Sequence, residues 1–139
     1  MIVAKIFSAL RELLADAVPE GMTLSDEYET AAIASDAWSA FETVSVREAI
    51  AGNLTWDAEI ALKSFFPQNE DWPRERVTAS HGALVRALRG VRLGALSVRA
   101  GGCVVQFLAQ TGTDSVAFES VGAGSCFVLK STFRIVVQE

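Results

Sequence analysis

The sequence predicts an α+β domain: an antiparallel or mixed β-sheet with two main α-helices packed on one of its faces. Three patterns carry that reading. Apolar residues recur at steps of three and four near the N-terminus and again around residue 80. They fall on every second position along residues 54–66, with only Ser64 breaking the row. The final third is a series of β-branched and aromatic runs separated by glycines.

The first helix is predicted over residues 2–18, where Ile2, Ile6, Ala9, Leu10, Leu13, Leu14 and Ala17 form one apolar stripe. Pro19 and Gly21 stop it. Residues 24–29 read as a short extended segment, and residues 30–40 fit a loop or a helical turn equally well. From Phe41 the alternation is firm, with Val44, Val46 and Ile50 on one parity and Thr43, Ser45 and Arg47 on the other. A turn at Gly52-Asn53 then makes a hairpin with the stretch GNLTWDAEIALKSFFP. In that stretch Leu54, Trp56, Ala58, Ile60, Leu62 and Phe66 form a core row that only Ser64 interrupts, and Thr55, Asp57, Glu59 and Lys63 form a wet row.

Pro67 ends the strand, and the polar connector PQNEDWP leads to a second helix. Asn69 or Asp71 is its predicted cap, Pro73 suits its first turn, and Glu75 complements the macrodipole. Val77, His81, Leu84, Val85 and Leu88 line one face, Arg86 and Arg89 occupy the last turn, and Gly90 closes it. Four strands are predicted beyond: residues 96–99, 103–109, 115–121 and 126–137. The last alternates Phe127, Leu129, Phe133, Ile135 and Val137 with Lys130, Thr132 and Arg134.

With 139 residues, half of them apolar, and a mean hydropathy of +0.29, the chain has material for one core, and residues 1–139 are expected to form a single domain. Its apolar runs are far shorter than the roughly 18 residues a membrane helix needs, so no membrane partner is expected. Arg11, Glu12 and Asp16 interrupt the N-terminal apolar segment, which therefore reads as a helix of the folded protein and not as a signal peptide. Cys103 and Cys126 lie in apolar runs, where cysteine acts as a small hydrophobe; free thiols are expected, and a cross-strand bridge stays open as an alternative.

Catalytic, cofactor and metal signatures are not found. The one histidine, His81, has no ligating or acid–base residue at helical spacing. No Gly-x-Ser-x-Gly elbow is present, and the glycine clusters before Cys103 and Cys126 join strand to strand and not strand to helix. Asp26, Glu27, Glu29 and Asp36 lack calcium-loop spacing. Asp57 and Glu59 share the wet face of the long strand, where solvated residues are commoner than acid–base pairs. Trp38 and Trp72 are placed in loops, packing over the sheet or anchoring a partner. No enzymatic activity and no cofactor are expected.

Charge is segregated along the chain. Residues 1–73 hold 13 acids and 4 bases, and residues 74–139 hold 4 acids and 8 bases. A net charge of −5 argues against nucleic acid as a direct ligand. The split between the two parts suits neighbouring copies that meet acidic face to basic face, head to tail. The residues expected at such an interface are Asp26, Glu27, Glu29, Asp57, Glu59, Arg86, Arg89 and Arg92.

The order of elements resembles a known family. The helix LRELLADAVPEG, an acidic stretch, the hairpin with NLTWDAEIALKSFFP, the helix RERVTASHGALVRALRG and the closing strand TFRIVVQE look like the small tail-terminator and tail-completion proteins of tailed bacteriophages. The resemblance spans most of the chain by layout, and it assigns a family role to no single residue. It implies an α+β fold and a non-enzymatic ring that caps the tail tube, with tail-tube or head–tail connector proteins as partners. It also implies residence in the host cytoplasm during assembly and then in the virion. Two other readings of the residues stay open: a prophage-type or bacterial adaptor of the bacterial cytoplasm, and a small-molecule-binding α+β domain.

Overall fold

The computed structural model describes residues 2–27, 37–49, 51–121 and 124–139. The fold is α+β. Its elements are α1 (Ile2–Leu14) with a 3-10 turn at Ala15–Ala17, β1 (Met22–Glu27), β2 (Ala37–Glu48), β3 (Thr55–Pro67), α2 (Arg74–Arg89), α3 (Leu93–Ala100), β4 (Val104–Val121) and β5 (Gly124–Gln138). The five strands form one sheet in the order β1-β2-β3-β5-β4. β1 runs parallel to β2, and every other neighbouring pair is antiparallel.

The helices cover one face of this sheet. Ile6, Phe7, Leu10 and Leu14 of α1, Leu84 and Leu88 of α2, and Leu96 of α3 close over Phe41, Ile60, Leu62, Phe66, Phe133 and Ile135, all at most 1% exposed. Phe7 stacks on Phe41 at 5.4 Å, and Phe66 meets Trp72 at 5.1 Å. Each large aliphatic or aromatic side chain so buried stabilises the fold by about 1.5–3 kcal/mol.

β3 is buried on both sides, so the expected core row and wet row are only half right. Ala58, Ile60, Leu62 and Phe66 face the helices as the alternation requires. The opposite row is largely buried too: Thr55, Asp57, Ala61 and Phe65 are all at most 9% exposed. On that side Phe65 stacks on Trp38 at 4.1 Å and joins Ala40, Cys126 and Val128 in a second apolar cluster. A central strand has neighbours on both edges and side chains crowding both faces, which alternation alone does not reveal. Leu54 lies before the strand with φ 56° and is half exposed, and Trp56 is only half-buried, its Nε1 donating to Glu139 Oε2 at 3.3 Å.

Four further expectations are corrected. Residues 96–99 are not a strand but part of α3, where Leu93, Leu96 and Ala100 fall on one helical side and Ser97 Oγ donates back to Leu93 O at 2.7 Å. Residues 103–109 and 115–121 are not two strands but parts of one, β4, whose register is interrupted between Thr111 and Ser115, where Gly112 takes φ 73°. Neither Asn69 nor Asp71 caps α2: Pro73 is its N-cap, and Asn69 Oδ1 accepts instead from Asp71 N at 3.0 Å. Trp38 is a β2 residue and not a loop residue. Ile50, Glu29 and most of residues 30–40 lie outside the described residues; β2 begins at Ala37.

The hairpin between β2 and β3 is present, closed by Ala49 N donating to Thr55 O at 2.7 Å. The two cysteines are not joined in a disulfide; Cys126 is buried and Cys103 half-buried.

Candidate functional site

Two polar clusters lie on opposite sides of β3. The first is inside the core. Ser39 on β2, Ser64 on β3 and Ser131 on β5 all point toward α2, where His81 enters the sheet from its apolar face. Ser39 Oγ and Ser64 Oγ are 2.7 Å apart, Ser64 Oγ lies 2.7 Å from His81 Nδ1, and His81 Nε2 lies 2.8 Å from Ser131 Oγ. Because a hydroxyl both donates and accepts, the chain satisfies either neutral tautomer of the ring. A serine within hydrogen-bond reach of an imidazole is the raw material of a nucleophile–base pair. Here none of the four residues is more than 2% exposed, so no substrate atom reaches them. Their chemistry is cohesion: four elements tied through one buried ring.

The signal for this cluster was in the sequence. Ser64 interrupts the apolar row of β3, and Ser131 sits in the same way between Leu129 and Phe133 of β5. Two polar interruptions on neighbouring strands need a shared partner, and the one histidine on an apolar helix face supplies it.

The second cluster is on the face without helices. Arg134 on β5 donates from Nε to Asp57 Oδ1 and from Nη2 to Asp57 Oδ2, both at 2.9 Å, and Arg47 Nη2 on β2 adds a third bond to Oδ2 at 3.1 Å. The Arg134 hydrogen bonds hold the Asp57 carboxyl below its ordinary range; burial opposes the shift and Arg47 reinforces it. The Arg134 guanidinium also lies over the Phe107 ring, 5.4 Å from its centroid, and Phe107 is 41% exposed. Ser45, Arg47, Glu59, Thr111, Thr132 and Arg134 line a shallow concavity of about 510 Å³ around the buried carboxylate. Two guanidiniums balance two carboxylates, and both Asp57 oxygens are engaged. The arrangement suits recognition of a surface better than proton transfer. The Cys103 thiol is pushed up, chiefly by burial, which keeps it protonated and a poor nucleophile. Among the described residues no group of three His, Cys, Asp or Glu side chains converges as a metal site.

Two grooves on the side of the sheet that carries the helices flank its edge strands. One, of about 250 Å³, runs between the first turn of α2 and the β4–β5 pair, lined by Arg74, Val77, Thr78, Val116, Phe127 and Leu129. The other, of about 430 Å³, follows the end of α1 along β1, with Glu12, Ala15, Val18, Met22 and Leu24 in its wall.

The residues expected at an interface fall into separate groups. Asp57 and Glu59 point from the helix-free face, and Asp57 is not solvated as expected but bound by two arginines. Arg86 and Arg89 are exposed on the last turn of α2, and Arg92 precedes α3, all on the helix side. Asp26 is paired with Arg11 of α1. Glu27 belongs to β1, and Glu29 lies outside the described residues. Sequence reading missed Arg47, Phe107 and Arg134, whose partnership depends on register across three strands.

No family model and no curated protein matches the chain. Among solved structures it is similar to the PVC sheath/tube terminator, in the extended state, of an extracellular contractile injection system, with a TM-score of 0.43 and 12% sequence identity. That match covers 97% of this chain and 56% of the other, so the chain spans a little over half the length of the structure it resembles.

Proposed function

We propose that this chain is a non-enzymatic structural protein that assembles with copies of itself into a ring and caps or completes a phage-type tail tube. One observation carries the self-assembly: the charges on the chain are sorted, not mixed. Between Arg11 and Arg47 there are eight acids and no base, and between Glu75 and Asp114 there are Arg76, Arg86, Arg89, Arg92 and Arg99 and no acid. Glu12, Asp26 and Glu42 are paired within the chain with Arg99, Arg11 and Lys63, but Asp16 and Glu20 of the first stretch and Arg86, Arg89 and Arg92 of the second are exposed, which favours heterologous contacts between copies; such contacts close a ring when the rotation per copy divides a full turn. The polar groups with chemical potential are consumed internally, His81 by two serines and Asp57 by two arginines. The assignment to a tail tube comes from the resemblance in element order.

Light scattering coupled to size exclusion tests the assembly. A discrete oligomer whose midpoint moves to higher protein concentration as salt rises is the expected result, and monomers of 14.9 kDa throughout would overturn it. Mixing the oligomer with purified tail tubes and imaging their ends tests the cap: density confined to one end is expected, and bare ends or binding along the whole tube would contradict it.

A further inference from the structure

Among the described residues the sheet has two open edges of different character. β4 is paired on one side only, by β5, over 18 residues that include no Lys, Arg or Pro. Those are the residues with which edge strands commonly block pairing with another chain. It displays Val104, Phe107 and Val116, the last 67% exposed. β1, at the opposite edge, is six residues long and paired only with β2.

Strand direction makes these edges compatible. β1 and β2 are parallel, and each later step across the sheet reverses, so β4 runs antiparallel to β1. A second copy placed alongside in the same orientation therefore offers its β4 to β1 in the antiparallel sense, which hydrogen-bonds slightly better than the parallel one. Thr23, Trp38, Phe65, Val128 and Ala117 lie on one row across the sheet, each paired with the next. An unshifted continuation brings Ala117 of one copy level with Thr23 of the next. At that level the groove beside Val116 in one copy and the groove beside Met22 and Leu24 in the other meet on the helix side, two half-open apolar surfaces that close each other. Charge agrees on the same side. Arg74 rims the β4 groove, and Asp16 and Glu20 are exposed beside β1, in the stretch of eight acids without a base.

We propose that the occupant of the β4 edge is β1 of a second copy of this chain: residues 115–118 add antiparallel to residues 22–25, with Arg74 facing Asp16 and Glu20 of the neighbour. This rests on the ring reading above and specifies its contact. Every junction is the same, and no edge is left over once the ring closes.

The test is self-association of the full chain by light scattering over a concentration series, with thermal unfolding to show that each variant is folded. Val116→Lys places an edge charge at a site already exposed, and Arg74→Glu reverses the rim charge. Each is expected to raise the dissociation midpoint at least ten-fold, and the swap Arg74→Glu with Glu20→Lys to recover most of it. Amides of residues 115–118 should exchange more slowly in the oligomer than in the dissociated chain. Folded variants that assemble like the parent would overturn the edge contact and leave the ring reading standing. A parent that stops at two subunits would overturn it in favour of two-fold β4 pairing, and a parent monomeric at every concentration would overturn both.

Discussion

Asp57 on β3 and Arg134 on β5 are joined by two parallel hydrogen bonds of 2.9 Å across the helix-free face of the sheet. The carboxylate is only 9% exposed while the guanidinium is about half exposed, so an interior anion is held by a surface cation. Removing the carboxylate in Asp57→Ala strips charged hydrogen bonds from Arg134 and Arg47 at once. Solvent access to the cations limits the cost to about 1–2 kcal/mol, read as a lowered denaturation midpoint. Arg47→Ala, at a side chain 77% exposed, should change stability by less than about 0.5 kcal/mol.

The same pair sets an acid limb. Its partners lower the Asp57 pKa in the folded chain, so the folded state binds its proton less readily than the unfolded state does. The stability this contributes is full above the unfolded carboxylate value of about 3.9, and it is lost as pH falls below that value and through the lowered one. Asp57→Asn should flatten the fall in stability below pH of about 4 relative to the parent, measured by urea unfolding at a series of pH values. An unchanged slope would show that Asp57 titrates normally.

His81→Leu takes one hydrogen bond from Ser64 and one from Ser131, and should cost about 2–4 kcal/mol, because buried hydroxyls that lose a bond retain their desolvation penalty. Adding Ser131→Ala removes one of those hydroxyls and should recover part of that loss, while Ser64 keeps its bond to Ser39. A double variant weaker than the single one by the full sum of the parts would show that Ser131 does not depend on the ring.

Burial on both sides of β3 predicts that Phe65→Ala and Phe66→Ala, adjacent residues pointing in opposite directions, each cost about 3–5 kcal/mol. Trp56→Ala, half-buried, should cost less than either. Were one face of β3 solvated, Phe65→Ala would be nearly silent.

The helical state of residues 93–100 is tested by Leu96 and Val98. A strand would point both to one side, whereas α3 buries Leu96 completely and leaves Val98 84% exposed. Leu96→Ala should cost about 2–5 kcal/mol and Val98→Ala less than about 0.5 kcal/mol in thermal unfolding.

The elements that could be read from the sequence were those whose periodicity is set by one core. The stripe of α1, the stripe and terminal signals of α2, the β2–β3 hairpin and the alternation of β5 all follow from a single apolar face each. Residues 96–99 read as a strand because so short a segment fits both periods, and the Ser97 bond back to Leu93 leaves no trace in hydropathy. β3 was half misread because its second face is covered by side chains from β2 and β5, Trp38 and Val128, that come from distant parts of the chain. The same cause hid Arg47 and Arg134 as partners of Asp57, since register between strands brings them together and spacing along the chain does not. The serine interruptions in β3 and β5 were visible, and their meaning needed only the inference that buried hydroxyls on adjacent strands share a partner.

The position of β3 in the sheet also orders events during synthesis. Its first neighbour, β2, is a hairpin away, but its second is β5, and Trp56 meets Glu139 across 83 residues of chain. Until β5 has left the ribosome, one whole edge of the most deeply buried strand is unpaired, and Phe66 and Ile60 lack the side chains of Phe127 and Phe133 beside them. Loop closure over that span is slow compared with local pairing. The nascent chain thus passes through an interval in which its own central strand is its chief aggregation hazard.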